Sequence, residues 1–213
     1  MKKGYINWKL VLVLVLCIGA IGATVVGLRK FNRTQRAEQG LKKGLAAYEE
    51  ELWQEAASNL GHYLAVHQTD TEVLLKYGHA QAHIQPFKRE NYAQAINAYR
   101  SVLRNDETNL QAAQSLIDLY LQAQIPGEAE LVATRFLEKK QDVQITRRLA
   151  TAQVMQRKYE QAVELLTDIV VRQPEEITSY ELLAHIAQER PELLKKSDQE
   201  WIDAAVEKNP ENA

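Results

Sequence analysis

The chain has 213 residues, 46% of them hydrophobic, with 26 Lys or Arg against 28 Asp or Glu. That length allows one or two ordinary domains, and the single cysteine, Cys17, excludes a disulfide framework or a cysteine-based zinc site within one chain. The net charge of −2 hides a split: residues 1–36 carry seven bases and no acid, whereas residues 37–213 carry 19 bases and 28 acids, an acidic body that argues against a nucleic-acid groove.

Residues 1–9 form a short basic tail. Leu10 to Leu28 then runs for 19 residues without a charge, and 12 of them are Leu, Val or Ile. A helix of that length is roughly 28 Å long, close to the ~30 Å hydrocarbon core, so the segment is expected to be a transmembrane helix. Tyr5 and Trp8 stand where interfacial aromatics belong, and Arg29, Lys30, Arg33 and Arg36 of a basic segment, 29–36, close the other end. A cleaved signal peptide is the competing reading, but the apolar run is longer than a usual signal core, and Ala20-Ile21-Gly22 is only a passable cleavage site. The basic counts on the two sides favour a C-terminal body in the cytoplasm, whereas the short basic N-tail favours the opposite, so orientation stays open. Gly19, Ala23 and Gly27 share one helix face, a small-residue pattern that lets two such helices approach and form a homodimer.

Beyond residue 36 the apolar period is helical. Helices are expected at 38–51, 53–67, 71–84, 91–105, 109–122, 127–140, 143–156, 159–172, 176–189 and 198–208. Thr69-x-x-Glu72 and Ser197-x-x-Glu200 suit capping boxes, Pro126 suits a first helical turn, and Pro174 and Pro210 suit helix ends. An insertion of about five residues lies in 82–91, where Pro86 ends the first helix of the second pair, and reads as a loop extension or a partner-specific lip. The alanines of Trp53-Gln-Glu-Ala56, Tyr92-Ala-Gln-Ala95, Pro126-Gly-Glu-Ala129 and Tyr159-Glu-Gln-Ala162 are 39, 34 and 33 residues apart. Such a period marks stacked helix pairs, each too small to bury its own apolar face.

These segments resemble the tetratricopeptide repeat, a 34-residue helix-turn-helix. The fourth unit fits best, with Leu149-Ala150, Tyr159, Ala162, Leu166 and Pro174. The second offers Tyr77-Gly78, Tyr92, Ala95 and Tyr99, and the first Gly44, Trp53, Ala56 and Leu60. The third departs, with Leu116-Ile117 where a small residue is expected and Pro126 in place of the aromatic. The fifth retains Leu183-Ala184, Trp201 and Pro210 but lacks the alanine. The resemblance implies an all-α solenoid of about five helix pairs, at roughly 37–70, 71–109, 110–142, 143–176 and 177–210, preceded by one transmembrane helix. A basic apolar anchor leading straight into repeats is also similar to large membrane-anchored repeat proteins of planctomycete-type bacteria. That likeness implies a single-pass protein of the bacterial cytoplasmic membrane, and it suggests that the chain is the N-terminal part of a longer array. In that case Trp201, Ile202, Ala205 and Val206 are expected to be partly uncovered.

The family's first helices line a groove that holds a peptide. In this chain that stripe is expected to carry Leu41, Leu45, Tyr48, Leu75, His79, Gln114, Asp118 and Arg147. The Lys and Asn clamp with which co-chaperone members of the family grip a terminal carboxylate is missing. Leu41, Leu45 and Tyr48 read either as an apolar contact patch or as cover for the preceding basic segment. His79 and His83 are four apart, yet no third ligand accompanies them, so no metal is expected. No phosphate loop, nucleophile elbow or marked acid–base pair occurs, so neither catalysis nor a cofactor is expected. The expected role is a membrane-anchored scaffold for other proteins.

Overall fold

The structure, a computed structural model, describes residues 8–86 and 88–210, and side chains from residue 27 onward. Among these residues it is all-helical and without strands: ten α-helices and one short 3-10 turn. The chain divides into two compact units, Met1–Val73 and Leu74–Ala213.

In the first unit, α1 (Trp8–Glu49) packs against α2 (Trp53–Leu64), and α3 (Thr71–His83) begins. The sequence led us to expect two separate elements, 10–28 and 38–51, joined by the basic segment. They are one helix of 42 residues. The stretch from Arg29 to Gln39 holds no Pro or Gly and is rich in Arg, Gln and Lys, so nothing interrupts the backbone ladder. Leu41, Leu45 and Tyr48 therefore cannot cover the basic segment, because both lie along the same rod. The transmembrane expectation for 10–28 and the pairing face of Gly19, Ala23 and Gly27 rest mostly on residues 10–26, whose side chains lie outside those described; Gly27 alone of the three is described, with nothing within 4 Å of an added Cβ. Among the described residues no helix is long and apolar enough to cross a membrane.

Close approach of α1 and α2 depends on small residues. A Cβ at Gly44 would lie 2.7 Å from Leu60 Cδ2 and 2.9 Å from the Leu60 backbone nitrogen, and one at Gly40 would lie 3.0 Å from the Asn59 carbonyl oxygen. The Arg33 guanidinium donates to the Ala65 carbonyl at 2.6 Å, tying α1 to the end of α2. The α3 start is capped by Asp70, whose Oδ1 accepts from the Val73 backbone N–H at 3.2 Å and whose Oδ2 accepts from the Tyr63 hydroxyl at 2.9 Å. The capping box expected from Thr69 thus gives way to its neighbour, which also anchors a buried tyrosine. Burial and that carboxylate push the Tyr63 hydroxyl up to about 12.

In the second unit α3 is followed by α4 (Arg89–Asn105), α5 (Leu110–Gln122), α6 (Pro126–Lys139), α7 (Val143–Met155), α8 (Tyr159–Arg172), α9 (Ile177–Glu189) and α10 (Asp198–Lys208). From α4 onward each helix packs on the next, and α7 also touches both α5 and α9, so that the three form one layer. Ala95, Ala129 and Ala162 are fully buried, so helix axes meet where the alanines stand. Tyr92, at an aromatic position opening a second helix, donates its hydroxyl to the Leu119 carbonyl of α5, which joins one pair to the next. Pro126 sits in the first turn of α6, and Ser197 and Glu200 form the expected capping box at α10.

The third pair shows how its departure from the repeat pattern is absorbed. A Cβ at Gly78 would lie 3.0 Å from the Tyr99 ring, so a small residue in the first helix faces a bulky one four residues after the alanine. Gly44 with Leu60 repeats the arrangement, and Ala150 with Leu166 holds the same register. In the third pair the volumes are exchanged: Ile117 occupies the small position and Ala133 the bulky one, both fully buried. Total volume is conserved, which a packed core demands.

The turns inside three pairs share a second device. Glu51, Gln124 and Arg157 adopt φ of 57°, 59° and 61°, each two residues before a second helix. The left-handed conformation is costly for a residue with a Cβ, roughly 1 kcal/mol or more. Gln124→Gly is therefore expected to raise the unfolding free energy by up to about 1 kcal/mol, measured by urea denaturation; unchanged or lowered stability would show that the turn is unstrained.

The last pair is less exposed than expected. Trp201 and Ala205 are buried, with the Trp201 ring 6.2 Å from Tyr180 and under the Lys196 ammonium at 4.7 Å. Ile202 and Val206 remain 46% exposed.

Candidate partner-binding surface

The expected groove residues divide between the units. On α1, Leu41, Leu45 and Tyr48 are half-buried, and Tyr48 meets the Trp53 ring edge-on at 5.4 Å. Burial, then the Glu49 charge, raises the Tyr48 hydroxyl above its ordinary value. In the second unit, Leu75 and His79 lie on α3, Gln114 and Asp118 on α5, and Arg147 on α7, all half-buried. The His79 and His83 rings stack at 4.1 Å, and His83 Nδ1 faces the His79 carbonyl at 2.8 Å. Among the described residues no cluster of three or more His, Cys, Asp or Glu is arranged to hold a metal.

Two of these residues are committed to ties between repeats. Asp118 accepts two hydrogen bonds from Arg148, at 2.8 and 2.9 Å, across α5 and α7. The Arg147 guanidinium lies 3.1 Å from Glu176, an ion pair without hydrogen-bond alignment. Glu176 in turn caps α9 by accepting from the Ser179 backbone N–H at 2.9 Å and from its hydroxyl at 2.7 Å. The polar stripe of the first-helix layer therefore serves largely to hold α5, α7 and α9 in register.

The second-helix side is tied the same way. Glu130 of α6 accepts from the Lys158 ammonium at 2.6 Å and from the Gln156 amide at 2.7 Å, both at the turn before α8. Burial acts to raise the Glu130 carboxyl, yet the Lys158 and Gln156 hydrogen bonds outweigh it and hold the group below its ordinary 4.5. A depressed carboxyl contributes stability that is complete above about pH 4.5 and lost as pH falls through the folded value. The stability gap between the protein and Glu130→Gln is therefore expected to shrink below about pH 4.5, as read by urea denaturation at several pH values. A gap constant down to strong acid would show that the tie carries no charge.

On this side a groove of about 560 Å³ opens between α4 and α6, floored by the buried Ala113 and Leu116 of α5. The sequence reading placed no site here. Its signal was present in two pairs of bases at helical spacing, Arg100 with Arg104 and Arg135 with Lys139, inside an otherwise acidic body.

Helix pairs at a 33- to 39-residue period, with small residues at their crossings, define a tetratricopeptide-like repeat fold. Solved structures agree. A crystal structure of MamA protein is similar with a TM-score of 0.70 at 14% identity, covering 84% of this chain and 94% of that one. MamA from Desulfovibrio magneticus RS-1 is similar with a TM-score of 0.68 at 18% identity, covering 83% and 96%. A second MamA crystal structure matches with a TM-score of 0.68 at 16% identity, covering 79% and 95%. No protein-family model matches the chain, and no curated protein matches it in sequence.

Proposed function

We propose that the chain is a membrane-tethered scaffold that gathers other proteins on its helix pairs and performs no catalysis. The observation that carries this reading is the repeat fold itself, shared with MamA over more than four-fifths of the chain. Stacked pairs of this kind offer extended surfaces for protein partners. The tether draws on the uncharged run 10–28 and on its continuity with the first repeat helix through α1. Held at a bilayer, here a bacterial cytoplasmic membrane, such a surface raises the effective concentration of partners confined nearby. The exposed cations Arg29, Lys30 and Arg36 suit the phosphates of anionic lipid, and Gly19, Ala23 and Gly27 offer a face for pairing two anchors.

Photo-cross-linking from α1 and α5 in intact membranes tests it. The expected result is capture of a small set of proteins, with the chain recovered in the membrane fraction after a salt wash. A chain that washes off in salt removes the tether, and absence of captured proteins removes the scaffold. A second reading makes this chain the first part of a longer array whose binding surface lies in later repeats. It draws on Ile202 and Val206, two half-exposed apolar residues one turn apart on α10. The reading frame beyond Ala213 decides it.

A further inference from the structure

We infer that the groove between α4 and α6 is a docking site for an acidic peptide segment in which carboxylates flank apolar side chains. This rests on the scaffold reading and deepens it by naming where a partner sits and what it must carry. The groove's volume of about 560 Å³ falls within the range of pockets that hold ligands. Its ends are braced across the two helices. Arg100 of α4 pairs with Glu128 of α6 at 3.1 Å, and Glu107, just past α4, pairs with Lys139 of α6 at 3.6 Å. Those two ion pairs, both exposed, mark the two ends of the groove.

Between the braces the register places Arg104 on one wall and Arg135 on the other. Both are exposed, and among the described residues neither pairs with a carboxylate; the Arg104 guanidinium donates only to the Ser101 hydroxyl oxygen, at 2.7 Å. Apolar surface separates them, with Leu116 and Phe136 buried beneath and Leu131 44% exposed at the rim. A guanidinium recognises a carboxylate through paired N–H donors, so two arginines astride an apolar floor fit two acids astride an apolar side chain. The charges already in place narrow the ligand further. Glu107, Glu128 and Glu138 also line the groove and would repel a continuous polyanion such as nucleic acid. A peptide with spaced carboxylates can set them against Arg104 and Arg135 and turn its apolar side chains to the rest of the lining, where Glu107 and Glu128 are already paired with Lys139 and Arg100.

The test uses the full chain in detergent micelles and two fluorescein-labelled helical peptides, one of Glu and Leu, the other with every Glu replaced by Lys. Fluorescence anisotropy is expected to show saturable binding of the Glu peptide only. Joint Arg104→Glu and Arg135→Glu substitution should weaken it by about tenfold or more and admit the Lys peptide. Leu131→Ser should weaken the Glu peptide without changing the charge preference. Equal binding of both peptides, binding of neither, or indifference to these substitutions overturns the proposal. Both arginines are exposed, so helicity should be unchanged. If the reversal perturbs it, Arg104→Gln with Arg135→Gln should abolish the preference, and retention of the preference overturns the proposal. Membrane cross-links that persist in the arginine variant overturn the groove and leave the scaffold standing; absence of all cross-links overturns the scaffold itself.

Discussion

Replacing Ile117 by alanine is expected to lower the unfolding free energy by about 2–5 kcal/mol, because a fully buried side chain leaves a cavity its neighbours fill only in part. Ala133→Leu alone is expected to cost about 1–3 kcal/mol by overfilling the same seam from the other helix. The two together should cost less than their sum by at least about 1 kcal/mol, since the double variant restores the small-then-bulky order seen at Gly78 and Tyr99. Urea denaturation of the four proteins gives the coupling. Penalties that add to within about 0.5 kcal/mol would mean that Ile117 and Ala133 do not share one space.

Gly44→Leu is the second large effect, and two opposing terms decide its sign. Leaving glycine in a helix interior gains about 1 kcal/mol of backbone propensity. Against that, the first added carbon already lies 2.7 Å from Leu60 Cδ2 and 2.9 Å from the Leu60 backbone nitrogen, and the remaining atoms have no space to enter. Overpacking costs of about 1–3 kcal/mol or more outweigh the gain, because a backbone atom is the obstacle and α2 must move as a whole. Gly127→Ala supplies the control. Nothing lies within 4 Å of a Cβ at that position, so propensity acts alone and stability should rise by a few tenths to about 1 kcal/mol. If thermal melts place both variants on the same side of the parent protein, close approach is not what glycine provides at position 44.

The helices were legible because each presents an apolar face at the helical period and ends on recognisable residues. Pro126 and Ser197 stand where the sequence places them. The junction of the apolar run and the first repeat was not legible: a charged stretch reads as a boundary, yet Arg29 to Gln39 contains no residue that breaks a helix. Ties such as Asp118 with Arg148 and Glu130 with Lys158 join residues roughly one repeat apart. Their partners are chosen by the stacking offset between pairs, which periodicity within one helix does not reveal. For the same reason Asp118 and Arg147 read from the sequence as available groove residues, whereas in the fold each answers a charge on the next pair. The groove on α4 and α6 was overlooked because a family likeness directs attention to first helices. The bases at 100, 104, 135 and 139 pointed elsewhere.

The unbroken α1 has a mechanical corollary. At 1.5 Å per residue, 42 residues make a lever about 63 Å long, with α2 clamped along its far portion through Gly44 and Arg33. No turn interrupts it between Trp8 and Glu49, so whatever grips the leading end bears directly on the heading of the first helix pair.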